Sequence, residues 1–226
     1  MNSQLTEKVY SILQTLYQNK FDISYLDNIL STTREVLKNL SNREKIILHN
    51  TKLEYQECVD ILETSSLLHD VFNKQYLNNI RVNQKKEFIN FYLNNHLKPT
   101  HLDIIYNIID NISYLKEVKG LKKDLGKYEI LRNIVSDAIK MDSIGINSID
   151  KMIIYNNLSN NKMDHSRNIN QHCKRKLFKI KNYIHTSYAK EVAITLEKQL
   201  RLIVTDQTFL DNYINNRLKI INLNTT

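Results

Sequence analysis

The sequence has few residues that interrupt regular secondary structure. Its 226 residues include three glycines, one proline and no tryptophan. Because glycine and proline supply the turns on which β-rich folds depend, their scarcity argues against such folds. Stretches in which apolar and polar residues alternate are rare, whereas apolar residues at helical spacing are common. The sequence therefore predicts an all-α protein.

The length allows one large domain or two small ones. The chain contains no internal repeat and no stretch with the composition of a linker. We therefore predict a single domain over residues 1–226, built as a helical bundle of about ten helices.

Cysteines and long apolar runs are also scarce. Cys58 and Cys173 are the only cysteines and lack the spacing of a metal-binding pair, which excludes a cysteine-based zinc site and is typical of a reducing compartment. The first residues lack the pattern of a signal peptide, and no run approaches the length of a membrane span. These observations predict a soluble, cytoplasmic protein without a membrane partner.

The formal net charge is +8, and the lysines are spread along the chain. Scattered, solvated lysines are the favoured interpretation, although the same charge would attract anionic, phosphate-bearing ligands. The hypothesis of a nucleic-acid-binding protein is supported by charge alone, because no recognition helix is apparent. Nucleic acid is therefore the least favoured partner.

Two short patterns predict helix starts. Ser41 with Glu44 and Thr51 with Glu54 each have the spacing of a capping box, in which two side chains satisfy free backbone N–H groups. Two segments are instead predicted to be loops. Residues 116–127 hold two of the three glycines and many lysines, and residues 156–170 are polar and rich in asparagine.

Residues 65–76 read SSLLHDVFNKQY and place His69 and Asp70 side by side where an apolar helix stops. Asp137 lies with Ile134 and Met141 on one face of another predicted helix. A buried carboxylate is costly unless it is paired, hydrogen-bonded or bound to a metal, so Asp137 either meets a lysine, caps a helix or is a ligand. One imidazole and two carboxylates suit Mn, Fe, Ni, Zn or Mg. Such an ion would polarise a phosphate oxygen and lower the pKa of an attacking water.

Three stretches resemble the HD superfamily of metal-dependent phosphohydrolases. Residues 65–76 resemble the family's small-x-LLHD segment. Residues 134–146, IVSDAIKMDSIGI, resemble its later acidic helix, V-x-D-A-D-x-L-D-A-I-G, with Asp137 at the metal-binding Asp and Asp142 at the last Asp. Residues 172–193 resemble the segment H-x-x-x-K-L … T-x-x-A-K-x-x-A of one subgroup. The order and spacing of the three stretches agree over most of the chain.

The resemblance implies a helical HD-domain-like fold and a metal site. It implies that His69, Asp70 and Asp137 hold a divalent ion and that Asp70 and Asp137 are the catalytic carboxylates. The implied substrate is a nucleotide or a related small phosphoester, which water would hydrolyse.

The resemblance also implies residues around the substrate. Lys176 and His172 would contact the phosphate, and Asp142 would support the pocket. A packing role for His172 and neutralisation of a buried acid by Lys176 are the alternatives.

The chain departs from the family pattern at four positions. Thr32 stands where the family has its first metal-binding His, and Ile112 stands where a further His is frequent. Asn73 replaces a common acidic residue, and Ile139 breaks the Asp-Ala-Asp repeat. Two functions therefore remain open: a phosphohydrolase, with an intact or a degenerate site, and an inactive HD scaffold that binds a nucleotide or a protein partner without a metal cofactor. The oligomeric state is left open.

Overall fold

The structure of the chain, a computed structural model, describes residues 3–17, 23–72, 81–158 and 165–223. Over these residues the chain is helical and forms no strand, which confirms the predicted all-α class. The helices in chain order are α1 (Ser3–Tyr17), α2 (Ile23–Lys38), α3 (Asn42–His49), α4 (Tyr55–Leu67), α5 (Val82–Leu93), α6 (Pro99–Asn111), α7 (Tyr114–Val118), α8 (Glu129–Ile144), α9 (Asn147–Leu158), α10 (His165–His172), α11 (Phe178–Ile180), α12 (Ser187–Thr205) and α13 (Gln207–Leu223). None of the helices in the described ranges is long and apolar enough to cross a membrane.

The chain forms two compact units, Met1–Ile139 and Lys140–Thr226. The boundary between them falls within α8.

Helix α4 is central to the first unit and packs against α1, α2 and α6. Its last seven residues, from Ile61 to Leu67, are all buried, although three of them are hydroxyl residues. Small side chains let a neighbouring helix approach closely, and α2 is that neighbour. The apolar residues of this stretch, Ile61, Leu62 and Leu67, pack in the core and hold the end of α4 in place.

The second unit is built from α9, α10, α12 and α13, which pack on one another. Ile153, Ile169, Leu200 and Leu210 are fully buried in it. Helix α10 continues through a wider, π-helical turn, Cys173–Leu177, into α11.

One of the two predicted capping boxes is confirmed. Ser41 caps α3, since its N–H donates to Glu44 Oε2 over 2.7 Å and the Glu44 N–H donates to Ser41 Oγ over 3.4 Å. The box assigned to Thr51 is wrong. Glu54 is itself the N-cap of α4, while the Thr51 hydroxyl donates to the Leu48 carbonyl at the end of α3.

The loop predicted over residues 156–170 is wrong at both ends, because α9 extends to Leu158 and α10 begins at His165. Burial of Ile153 and Ile169 in the second unit outweighs the weak helix propensity of the surrounding asparagines. The middle of the predicted loop lies outside the described residues. The loop predicted over residues 116–127 is confirmed only in its middle, because its start belongs to α7 and its end belongs to a 3-10 helix, Gly126–Tyr128.

Candidate functional site

The candidate site is the turn that follows α4. The helix ends at Leu67, Leu68 caps it, and His69 and Asp70 come next in the turn. The prediction that this pair lies where an apolar helix stops is confirmed. His69 is only 8% exposed, whereas the Asp70 side chain is 41% exposed, so the turn has one buried and one accessible group.

Both nitrogens of the His69 ring have defined neighbours. Nδ1 is 2.7 Å from the carbonyl oxygen of Ser66, three residues earlier and still within α4. Because a carbonyl only accepts, Nδ1 carries the proton of that bond. In the neutral ring Nε2 then presents its lone pair, 3.0 Å from the Tyr25 hydroxyl and 3.3 Å from Asp70 Oδ2. The turn thus places a nitrogen lone pair and a carboxylate oxygen side by side.

Hydroxyl groups join the end of α4 to α2. Thr33 Oγ1 and Ser66 Oγ are 2.8 Å apart, and each is also 2.8 Å from a carbonyl oxygen of its own helix, so one hydroxyl donates to the other and the second donates to its carbonyl. The neighbouring Thr32, which the resemblance aligns with the first metal-binding His of the HD superfamily, donates its hydroxyl to the Asn28 carbonyl over 2.8 Å. The close contact between α2 and α4 therefore runs through Thr33, one residue beyond that position.

A buried lysine holds the other side of the turn. Lys85, on α5, is 0% exposed, and its Nζ donates to the Val71 carbonyl over 3.0 Å. Burial lowers the pKa of this amine, because desolvation disfavours its charged form. Lys85 is not among the site residues predicted from the sequence. Its burial could have been predicted from the helical repeat, since Lys85, Ile89 and Leu93 recur every four residues on the buried face of α5.

Asp137 is fully buried in α8, in a row with Ile130 and Ile134, which confirms that it is a carboxylate on an apolar helix face. The adjacent Ser136 hydroxyl is buried without a hydrogen-bond partner among the described residues. Over the described ranges, no three His, Cys, Asp or Glu side chains are grouped closely enough to hold a metal ion. The assignment of Asp137 as a ligand beside His69 and Asp70 stays a prediction.

The remaining predicted site residues lie in the second unit. Asp142 is largely buried and forms an ion pair with Lys151. His172 and Lys176 are both exposed and lie one turn apart, with Lys176 in the π-helical turn. Partial burial of the ring lowers the pKa of His172, and the charge of Lys176 lowers it further. Of the six predicted residues, the structure thus brings His69 and Asp70 together, and separately His172 and Lys176.

The positions that depart from the family pattern have ordinary surroundings. Ile112 caps the end of α6 and is buried with the apolar core of the first unit. Asn73 lies outside the described residues. Both cysteines are buried. Burial raises the pKa of the Cys58 thiol, and it raises the pKa of the Cys173 thiol to about 12. Neither thiol is a candidate nucleophile at neutral pH.

The His69–Asp70 pair fits two positions of a divalent metal site. A metal-binding His commonly donates its second ring N–H to a backbone carbonyl, and His69 makes that bond to Ser66. Its Nε2 and Asp70 Oδ2 are the nitrogen and oxygen donors that Mn, Fe, Ni and Zn accept.

Comparison with known proteins identifies the fold. Neither the protein-family models nor the curated proteins include a match to this chain. A protein of Lactobacillus plantarum has 18% identity and a TM-score of 0.65, with 94% of this chain and 98% of that chain covered. The Lin1889 protein of Listeria innocua has 18% identity and a TM-score of 0.59, with 91% and 94% covered. Bacillus subtilis YpgQ, solved in complex with ADP, has 17% identity and a TM-score of 0.59, with 96% and 94% covered. These similarities show a shared helical fold.

Proposed function

We propose that this chain is an HD-type protein that binds a nucleotide at the turn of His69 and Asp70 and hydrolyses its phosphoester with a divalent metal. The observation that carries the proposal is the orientation of His69, whose Nδ1 is held by Ser66 while Nε2 lies 3.3 Å from Asp70 Oδ2. The complex of the similarly folded YpgQ with ADP supports a nucleotide as the ligand class.

Each residue of the turn has a role in this proposal. His69 and Asp70 would hold the ion, with Asp137 as the third ligand that the resemblance implies. The ion would supply a Lewis acid for the phosphate and lower the pKa of a water. The Tyr25 hydroxyl, 3.0 Å from Nε2, holds the imidazole in the metal-free turn and would release that nitrogen to the ion. Lys85, through Val71, fixes the backbone immediately after Asp70. In the reaction, the oxygen of water forms a bond to phosphorus, the phosphoester bond breaks, and the leaving oxygen takes up a proton.

The second candidate is nucleotide binding without hydrolysis. It is favoured by Thr32, whose hydroxyl is bonded to its own helix and whose side chain offers no imidazole where the family has one. In this version the turn recognises the phosphate, and the substitution Thr32→His would create hydrolysis that the natural chain lacks.

The test combines metal content, binding and turnover. Protein purified without a metal-binding tag is analysed for Mn, Fe, Ni and Zn, then titrated with ADP and assayed for phosphate release with each ion. We expect Asp70→Ala to abolish metal retention, ADP binding and release. Asp110→Ala, which changes an exposed carboxylate of the same unit, is the matched control and should alter none of them.

The outcomes separate the two candidates. Metal-dependent release that Asp70→Ala abolishes supports hydrolysis. ADP binding without release, with release gained in Thr32→His, supports the binding scaffold. A protein that binds neither metal nor ADP contradicts both.

A further inference from the structure

A groove runs between α2 and α4 in the first unit and encloses a cavity of about 430 Å³. This volume lies within the range of small-molecule sites, about 300–1,000 Å³. Its apolar lining comes from Leu37, Val59 and Leu62. An aromatic side chain, Tyr55, lines it at the start of α4 and is 67% exposed. The groove thus offers flat apolar contact and one accessible aromatic ring.

Two polar residues of the groove lie toward the candidate site, whereas a third, Gln56, lies at the start of α4. Thr33 and Glu63 both line it, and Thr33 is bonded to Ser66, whose carbonyl holds His69. At the helical rise, Glu63 lies about 6 Å and Val59 about 12 Å along the axis from Leu67, the last residue of α4. These axial separations match the length of an extended nucleotide whose phosphate lies at the turn.

Arg34 and Glu63 form an ion pair at this end of the groove. Arg34 Nε donates to Glu63 Oε1 over 2.8 Å, and the Glu63 side chain is nearly buried while that of Arg34 is half exposed. A carboxylate in such a position can accept hydrogen bonds from ribose hydroxyls, as acidic residues do in other nucleotide sites. The groove therefore has a carboxylate at the level of the sugar and an apolar lining at the level of the base.

We propose that the groove between α2 and α4 is the nucleoside subsite, with the ribose at Glu63 and the base between Leu37, Val59 and Tyr55. The inference rests on the proposed function, because it requires the phosphate to lie at His69 and Asp70. It adds that recognition of the ligand depends on a surface that neither the metal ligands nor the phosphate touches.

The test compares two probes that share the phosphate chemistry. ADP and inorganic pyrophosphate are titrated in the presence of Mn²⁺ against Val59→Trp, which fills the groove. We expect ADP affinity to fall at least about tenfold, since the base loses its contact surface, and pyrophosphate affinity to stay unchanged. Val82→Trp, a half-exposed position on α5 away from the groove, is the matched control and should alter neither.

A second variant keeps the test decisive if Val59→Trp does not fold. Tyr55→Ala removes an exposed ring and should lower the affinity for ADP by about five- to 100-fold while leaving the affinity for pyrophosphate unchanged. Phe91→Ala removes a ring that is 76% exposed outside the groove and should change neither affinity.

The results distinguish this inference from the proposed function. Full ADP affinity in both groove variants, with loss of ADP in Asp70→Ala, overturns the subsite and leaves the function. Equal weakening of ADP and pyrophosphate by the groove variants also overturns the subsite. Failure of the natural protein to bind either probe overturns the function and the subsite together.

Discussion

Each of the two compact units places a histidine near a lysine, and the two pairs are built differently. In the first unit, His69 is buried with both nitrogens engaged, and Lys85 donates to the backbone of its turn. In the second unit, His172 and Lys176 are exposed, and the positive charge of Lys176 contributes to lowering the pKa of His172. The resemblance assigned both histidines to one function, but only the first is held in a single orientation by its surroundings.

The largest expected effect comes from exchanging each histidine for glutamine. We expect His69→Gln to reduce ADP affinity by about 100-fold or more, because it removes a ligand whose orientation is fixed by Ser66. His172→Gln should change it by less than about threefold, since an exposed side chain contributes little to a preorganised site. Titration calorimetry with ADP and Mn²⁺ measures both. A larger loss in His172→Gln would invert the comparison.

The two lysines should differ in how stability depends on pH. The pKa of Lys85 is lowered below its usual 10.5 by burial, so between the two values the unfolded chain binds more protons than the folded one. The free energy of unfolding should therefore rise with pH in that window, by at most about 1.4 kcal/mol per pH unit. Lys85→Met should remove this rise, and Lys176→Met should retain it.

Urea denaturation at a series of alkaline pH values measures that slope. A slope that persists unchanged in Lys85→Met would show that another group causes it.

The smallest expected effect is on the free energy of unfolding, when each of two buried serines is replaced by alanine. Ser65, in the first unit, has a hydroxyl without a hydrogen-bond partner among the described residues, whereas the Ser166 hydroxyl of the second unit donates to Asp211. We expect Ser65→Ala to raise the free energy of unfolding by about 1 kcal/mol and Ser166→Ala to lower it by a similar amount. Chemical denaturation of both variants gives the two signs, and a loss of stability in Ser65→Ala would contradict the first.

Sequence reasoning succeeded where the cause is local. The apolar period that ends before His69, the row that contains Asp137 and the capping box at Ser41 all depend on residues within a few turns of one another. The same reasoning failed at Thr51, because the chain between α3 and α4 passes through Lys52, which has a positive φ of 60°. The Thr51 hydroxyl instead donates to the Leu48 carbonyl of the preceding helix.

The partners of the site could not be predicted, because they come from distant parts of the chain. Tyr25 precedes His69 by 44 residues, and its contact depends on how α2 packs against α4. The ion pair between Asp142 and Lys151 likewise depends on how the chain turns from α8 into α9. A single sequence places side chains on a helix face, and only tertiary packing decides which faces meet.

The burial of Lys85 has a consequence for the kinetics of the turn. An amine that is 0% exposed and bonded to Val71 is inaccessible to an acylating reagent while the turn stays closed. Exposed lysines such as Lys176 react in the native state, whereas Lys85 reacts only when its bond to the Val71 carbonyl opens locally. The rate at which Lys85 becomes labelled therefore measures how often that local opening occurs. A nucleotide that binds the closed turn slows the labelling in proportion to the fraction of protein that is bound.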